Sequence, residues 1–89
     1  MLGFNKYGSY GWAMFEALKS LAYTTDLEMQ GYHRGVIATL SGEMVMYSMR
    51  KDSVEFSLEV YEKQVDRVGR LVDNLLQQKK QQLINATHK

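Results

Sequence analysis

The apolar positions of this chain fall into three stretches with different periods. Between Tyr10 and Ala22, Met14, Leu18 and Leu21 recur at helical spacing, with Phe15 and Ala22 beside them. Steps of three and four residues place such side chains on one face of a helix, and Ser9 stands where an N-cap is expected. From about Glu62 to Ala86 a second helix is predicted, with Val65, Val68, Val72, Leu75 and Leu76 as its stripe and Leu71 at the edge. Glu59–Lys63 and Asp66–Arg70 are oppositely charged pairs four residues apart, a spacing that supports a helix. The stripe breaks at Gln77-Gln78-Lys79-Lys80-Gln81-Gln82, and Leu83-Ile84 follow. Residues 1–8 read as an irregular, Gly-containing lead-in and residues 77–89 as a polar helix end or tail.

The middle of the chain carries a period of two. Val54, Phe56, Leu58 and Val60 alternate with polar residues, the pattern of a half-buried strand. Turns at Lys51-Asp52, Ser41-Gly42 and Gln30-Gly31 pair four strands, near 23–29, 32–40, 43–50 and 53–61, with a consistent apolar face. That face carries Tyr23, Leu27, Met29, Val36, Ala38, Leu40, Val45, Tyr47, Met49 and the alternating set of the last strand. A glycine in a two-residue loop suits hairpin geometry. Glycines at 31, 35 and 42 each disfavour a continuous helix by about 1 kcal/mol. This reading predicts an α+β domain: an N-terminal helix, a four-stranded antiparallel β-meander and a long C-terminal helix in two layers.

The same residues admit an all-helical alternative. Val54, Leu58, Tyr61, Val65, Val68, Val72 and Leu75 step by four and three like a heptad seam, and Thr25/Glu28 and Asp52/Glu55 resemble capping boxes. The chain is then a three-helix bundle, or a helical hairpin that pairs with a copy of itself.

Composition narrows the function classes. A length of 89 residues suits one domain, and its 45% hydrophobic and 24% charged residues are ordinary for a folded protein. A chain this small buries only about 60–65% of its unfolded surface, so dimerisation is a natural source of stability. The net charge of +1 lacks the basic excess of a dedicated nucleic-acid binder. There is no cysteine, which removes disulfides and thiolate metal sites and fits a reducing compartment. Glu16 interrupts the N-terminal apolar run, so it does not read as a signal peptide, and no window reaches the roughly 20 apolar residues of a membrane span. The expected setting is the cytoplasm of the host, or the intracellular product of a phage or mobile element.

No segment has the spacing of a nucleophile elbow, a phosphate-binding loop or a dinucleotide turn. His33 and His88 have no ligand-type spacing to each other or to a carboxylate, and Glu55 with Glu59 reads as surface charge on the last strand. We therefore expect neither catalysis, cofactor nor metal. The expected activity is protein–protein interaction, with a homodimer as the first candidate. Its surface is predicted on the second sheet face, where Ile37, Met44 and Met46 make an apolar centre with a polar rim, or at Leu83 and Ile84 on the last helix. Nucleic-acid contact through Lys63, Arg67, Arg70, Lys79 and Lys80 is the alternative, although Glu62, Asp66 and Asp73 are interleaved with that stripe. The aromatic group Phe4, Tyr7, Tyr10 and Trp12 reads as either a binding cluster or a lid on the core.

Overall fold

The computed structural model describes residues 4–87 and, over them, is built of helices alone. A short 3₁₀ turn, Phe4–Tyr7, leads into α1 (Ser9–Tyr23), α2 (Leu27–Lys51) and α3 (Leu58–Thr87). The α+β expectation is overturned: among the described residues there is no strand, and all three predicted hairpin turns fail. Gln30-Gly31 and Ser41-Gly42 lie inside α2, and Lys51-Asp52 is the end of it. The all-helical alternative describes the chain.

Each boundary has a local cause. Gly8 adopts φ 60 and ψ −133 ahead of α1, a conformation that costs a side chain but not glycine. The 3₁₀ turn then folds back so that the Phe4 carbonyl lies directly over Gly11, in space a Cβ would need. Asp26 caps α2, its Oδ1 accepting from Glu28 N at 3.0 Å, one residue later than the predicted Thr25 box. The end of α2 closes with Ser53 N donating to Arg50 O (3.1 Å) and Val54 N to Met49 O (2.7 Å). That crossed pair requires a left-handed residue, and Ser53 fills the place at φ 58. Ser57, not Asp52, caps α3, its Oγ accepting from Val60 N at 3.3 Å.

The run taken for the last strand is split by this geometry. Residues 54–57 form a connection without regular structure and α3 begins at Leu58, and Val54, Phe56, Leu58 and Val60 all lie at the surface.

α2 runs antiparallel to both neighbours and is the centre of the molecule. Toward α1, the Tyr47 ring meets Tyr10 edge-on at 6.0 Å. Toward α3, Gly42 admits Tyr61 and Val65 so closely that a Cβ there would lie 2.7–2.9 Å from their side chains. Near the other end, Arg34 forms a two-pronged bond with Asp73, 3.1 Å at each prong. The core is assembled from Met14, Ala17 and Leu21 of α1, Ile37, Ala38 and Met44 of α2, and Val72 of α3. Ser41 is buried with them and donates from Oγ to Ala38 O at 2.5 Å, so its hydroxyl is satisfied.

α1 and α3 stay more than 8 Å apart along their backbones. One side chain ties them: Lys79 of α3 donates from Nζ to Leu21 O (3.3 Å), Ala22 O (3.1 Å) and Thr24 O (2.9 Å) at the end of α1. These carbonyls are among those a helix leaves without internal partners, and the negative end of the helix dipole favours a cation there. The last part of α3, from Lys80 to Ala86, is exposed.

Candidate functional site

Because the backbones of α1 and α3 stay more than 8 Å apart, a groove opens between them over α2. Its volume is about 480 Å³. The floor is the α2 ridge of Ile37, Ser41, Met44 and Ser48, one turn apart. Met14 and Leu18 make one wall, and Val68, Leu71 and Leu75 the other. Phe4 and Tyr7 of the 3₁₀ turn line it, as do Asp52 and Val54 where α2 gives way to the connection. Leu71 and Leu75 remain 52% and 54% exposed although they stand beside the core residue Val72. The apolar arc of α3 is thus wider than α2 alone can cover.

A second hollow, of about 620 Å³, lies between the α1–α2 connection and the end of α3, near Thr25, Leu27, Gln77, Lys80 and Leu83. Its lining mixes amides and charges with three leucines, so it lacks the continuous apolar floor of the first.

The structure separates the residues singled out in the sequence. Ile37 and Met44 are 1% and 8% exposed and belong to the core. Met46 is two residues from Met44, on the outer side of α2, so the three do not form a patch. Leu83 and Ile84 are exposed on α3, with Leu83 lining the second hollow.

The basic set is likewise divided. Lys63 pairs with Glu59 at 2.9 Å and Arg70 with Asp66 at 2.8 Å, both one turn along α3. Lys79 is engaged with the α1 carbonyls, and Lys80 lies a quarter-turn away from it. Arg67 points from the groove side of the helix, since it follows Gln64 by three residues and precedes Leu71 by four, and both of these line the groove.

His33 packs edge-on against Tyr32 at 5.5 Å, and His88 lies outside the described residues. Among the described residues, no group of three histidines or carboxylates converges as metal ligands would. Glu55 is exposed in the connection and Glu59 is held by Lys63, so the two make no dyad. The aromatic group splits three ways: Phe4 and Tyr7 enter the groove lining, Tyr10 meets Tyr47, and Trp12 lies exposed beside Phe15.

Among the described residues, two ionisable groups are displaced from their ordinary values. Burial raises the Tyr61 phenol, helped by the bond its hydroxyl donates to Glu43 at 3.2 Å. The bond to Asp73 raises Arg34, so its guanidinium stays charged. Both groups lie at the α2–α3 contact and lock the helices together; neither lines the groove.

Sequence reasoning missed the groove, the role of Lys79 and the Arg34–Asp73 pair. A signal for the groove was present in Leu71, at the edge of the α3 stripe. No helix among the described residues is long and apolar enough to cross a membrane. Comparison of the chain with known protein families, characterised proteins and solved structures gives no match.

Proposed function

We propose that this chain is a binding module without catalytic activity, and that it accepts an apolar helical element in the groove between α1 and α3. The observation that carries the reading is the pair Leu71 and Leu75, half exposed on a wall whose neighbour Val72 is fully buried. Two parallel helices resting on a third leave the position that a fourth helix takes in a bundle. Filling it covers the remaining apolar arc of α3. At about 25 cal/mol per Å² of apolar surface, covering even 200 Å² on this face supplies roughly 5 kcal/mol before the costs of association. We place the module in the cytoplasm, where a chain without cysteine gives up nothing to a reducing environment.

A library of synthetic amphipathic helical peptides, screened against the wild type and the Leu71→Gln/Leu75→Gln double variant, tests this. Peptides that bind the wild type at least tenfold tighter support the reading. A library in which no peptide distinguishes the two folded proteins refutes it. Sedimentation of both proteins without peptide reads self-association through the same face.

A further inference from the structure

The charges around the groove are not distributed at random. All the carboxylates of α3, namely Glu59, Glu62, Asp66 and Asp73, fall on the side away from Leu71 and Leu75. Three of them are already engaged, by Lys63, Arg70 and Arg34. The groove side of the same helix carries Gln64 in the lining itself and, along the same face, Arg67, Gln78, Lys79 and Gln82, with no acid; Lys79 is already engaged by the α1 carbonyls. On the opposite wall, Lys19 follows Leu18 on the outer shoulder of α1, while Glu16 lies on the far side of that helix. Lys6 stands at the 3₁₀ turn, next to the groove-lining Tyr7, whose ring it approaches at 5.1 Å. Asp52, at the end of α2 beside Lys51, is the only charged residue among the described residues of the lining itself; Lys6, Lys19 and Arg67 stand outside it.

From this arrangement we propose that the groove's occupant is an amphipathic helix of a partner protein whose apolar stripe is flanked by acidic residues. The inference rests on the binding-module reading above and specifies its partner. The apolar floor and walls take the stripe. Lys19 and Arg67, on opposite shoulders, meet the flanking carboxylates on either side of it, with Lys6 near the 3₁₀ turn. A second copy of this chain is disfavoured by the same charges. Two grooves face to face bring Arg67 and Lys19 of one copy toward those of the other, with no carboxylate on either groove wall between them. Rim charges of this kind act mainly on partner choice and association rate.

The test uses two synthetic peptides of 15 residues, the length of α1, with leucine at the same stripe positions and either glutamate or lysine at every flanking position. Binding to the whole protein is read by fluorescence anisotropy at low and high salt. The expected result is at least tenfold tighter binding of the glutamate peptide. That margin shrinks at high salt and reverses in the Lys19→Glu/Arg67→Glu variant. Both substitutions are on exposed positions, and circular dichroism confirms that the variant remains folded. Equal binding of both peptides, abolished by Leu71→Gln/Leu75→Gln, overturns the acidic partner and leaves the groove reading standing. Binding of neither peptide, with a dimer that the leucine variant dissolves, makes a second copy the occupant and overturns the proposal. Binding of neither peptide by a monomer overturns the proposal and the groove reading together.

Discussion

Lys79 offers the sharpest energetic test of this architecture. Its ammonium donates to three carbonyls at the end of α1, at 3.3, 3.1 and 2.9 Å, and is the polar tie between helices whose backbones do not otherwise meet. Substitution by methionine keeps a long apolar stem and removes only the charge and its bonds. A cation at a partly buried helix C-terminus contributes up to about 2 kcal/mol, and a hydrogen bond to a charged group about 1.5–3 kcal/mol. These are two descriptions of one contact and do not add. The exposed ends of the α1 carbonyls regain water when the lysine is lost, which recovers part of the cost. The expected loss for Lys79→Met is therefore about 1.5–2.5 kcal/mol, a large share of the ~5–15 kcal/mol of a typical domain. In a urea titration the midpoint falls while the slope is kept. Thermal unfolding shifts down by about 10 °C, from the usual 4–8 °C per kcal/mol in a domain this small. Lys80→Met, one residue on and exposed, is the control and stays within about 0.5 kcal/mol of the wild type. A Lys79→Met protein as stable as that control refutes the role given to this side chain.

Other consequences are equally direct. Gly35→Ala, with nothing within 4 Å of the added carbon, stabilises by up to about 1 kcal/mol through helix propensity. Gly42→Ala gains the same propensity but must displace Tyr61 and Val65, and the overpacking cost of about 1–3 kcal/mol makes it net destabilising; parallel urea titrations give the two signs. Ser53→Gly relieves a left-handed serine, worth about 1–2 kcal/mol, against about 0.5–1 kcal/mol of lost chain entropy, and raises the midpoint slightly. Tyr61 has its phenol raised by burial and by the bond to Glu43, so the folded state favours the neutral form. Its contribution is complete below the unfolded value of 10.0 and is lost as pH climbs through the higher folded value; Tyr61→Phe flattens that alkaline part of a stability–pH profile.

α1 and α3 were legible in the sequence because each turns a limited apolar arc toward its neighbours. Expected near Tyr10–Ala22 and Glu62–Ala86, they run Ser9–Tyr23 and Leu58–Thr87. α2 was illegible for a geometric reason. Residues two apart on a helix lie about 200° around it, and α2 is packed on two nearly opposite sides. Tyr47 faces α1, with Leu40 two turns before it; Gly42 faces α3, with Ala38 one turn before it. Alternate residues therefore serve opposite neighbours, and the result imitates the period of a strand. The glycines misled in the same direction. Gly42 repays its poor helix propensity by admitting α3, a gain that exists only in the folded packing. Gly31 and Gly35 have nothing near them and simply carry the cost. The patch built on Ile37, Met44 and Met46 fell with the sheet: residues two apart share a strand face but lie about 200° apart on a helix, so Met46 parts from Met44, while Ile37 and Met44, two turns apart, stay on one face and go into the core. The groove depends on how far α1 stands from α3, which follows from how both helices pack on α2 rather than from any local pattern.

The central position of α2 also sets the order in which the chain assembles. Both large helix interfaces, α1 with α2 and α2 with α3, join elements adjacent in sequence through connections at 24–26 and 52–57. Closing such short loops costs little entropy, and a topology made of neighbouring hairpins folds quickly. The Lys79 bonds are different, spanning 55 to 58 residues of chain. They have no reason to exist until both hairpins have formed, which places them after the rate-limiting barrier. The lysine thus acts as a latch on the finished molecule: removing it quickens unfolding and leaves the refolding rate nearly unchanged.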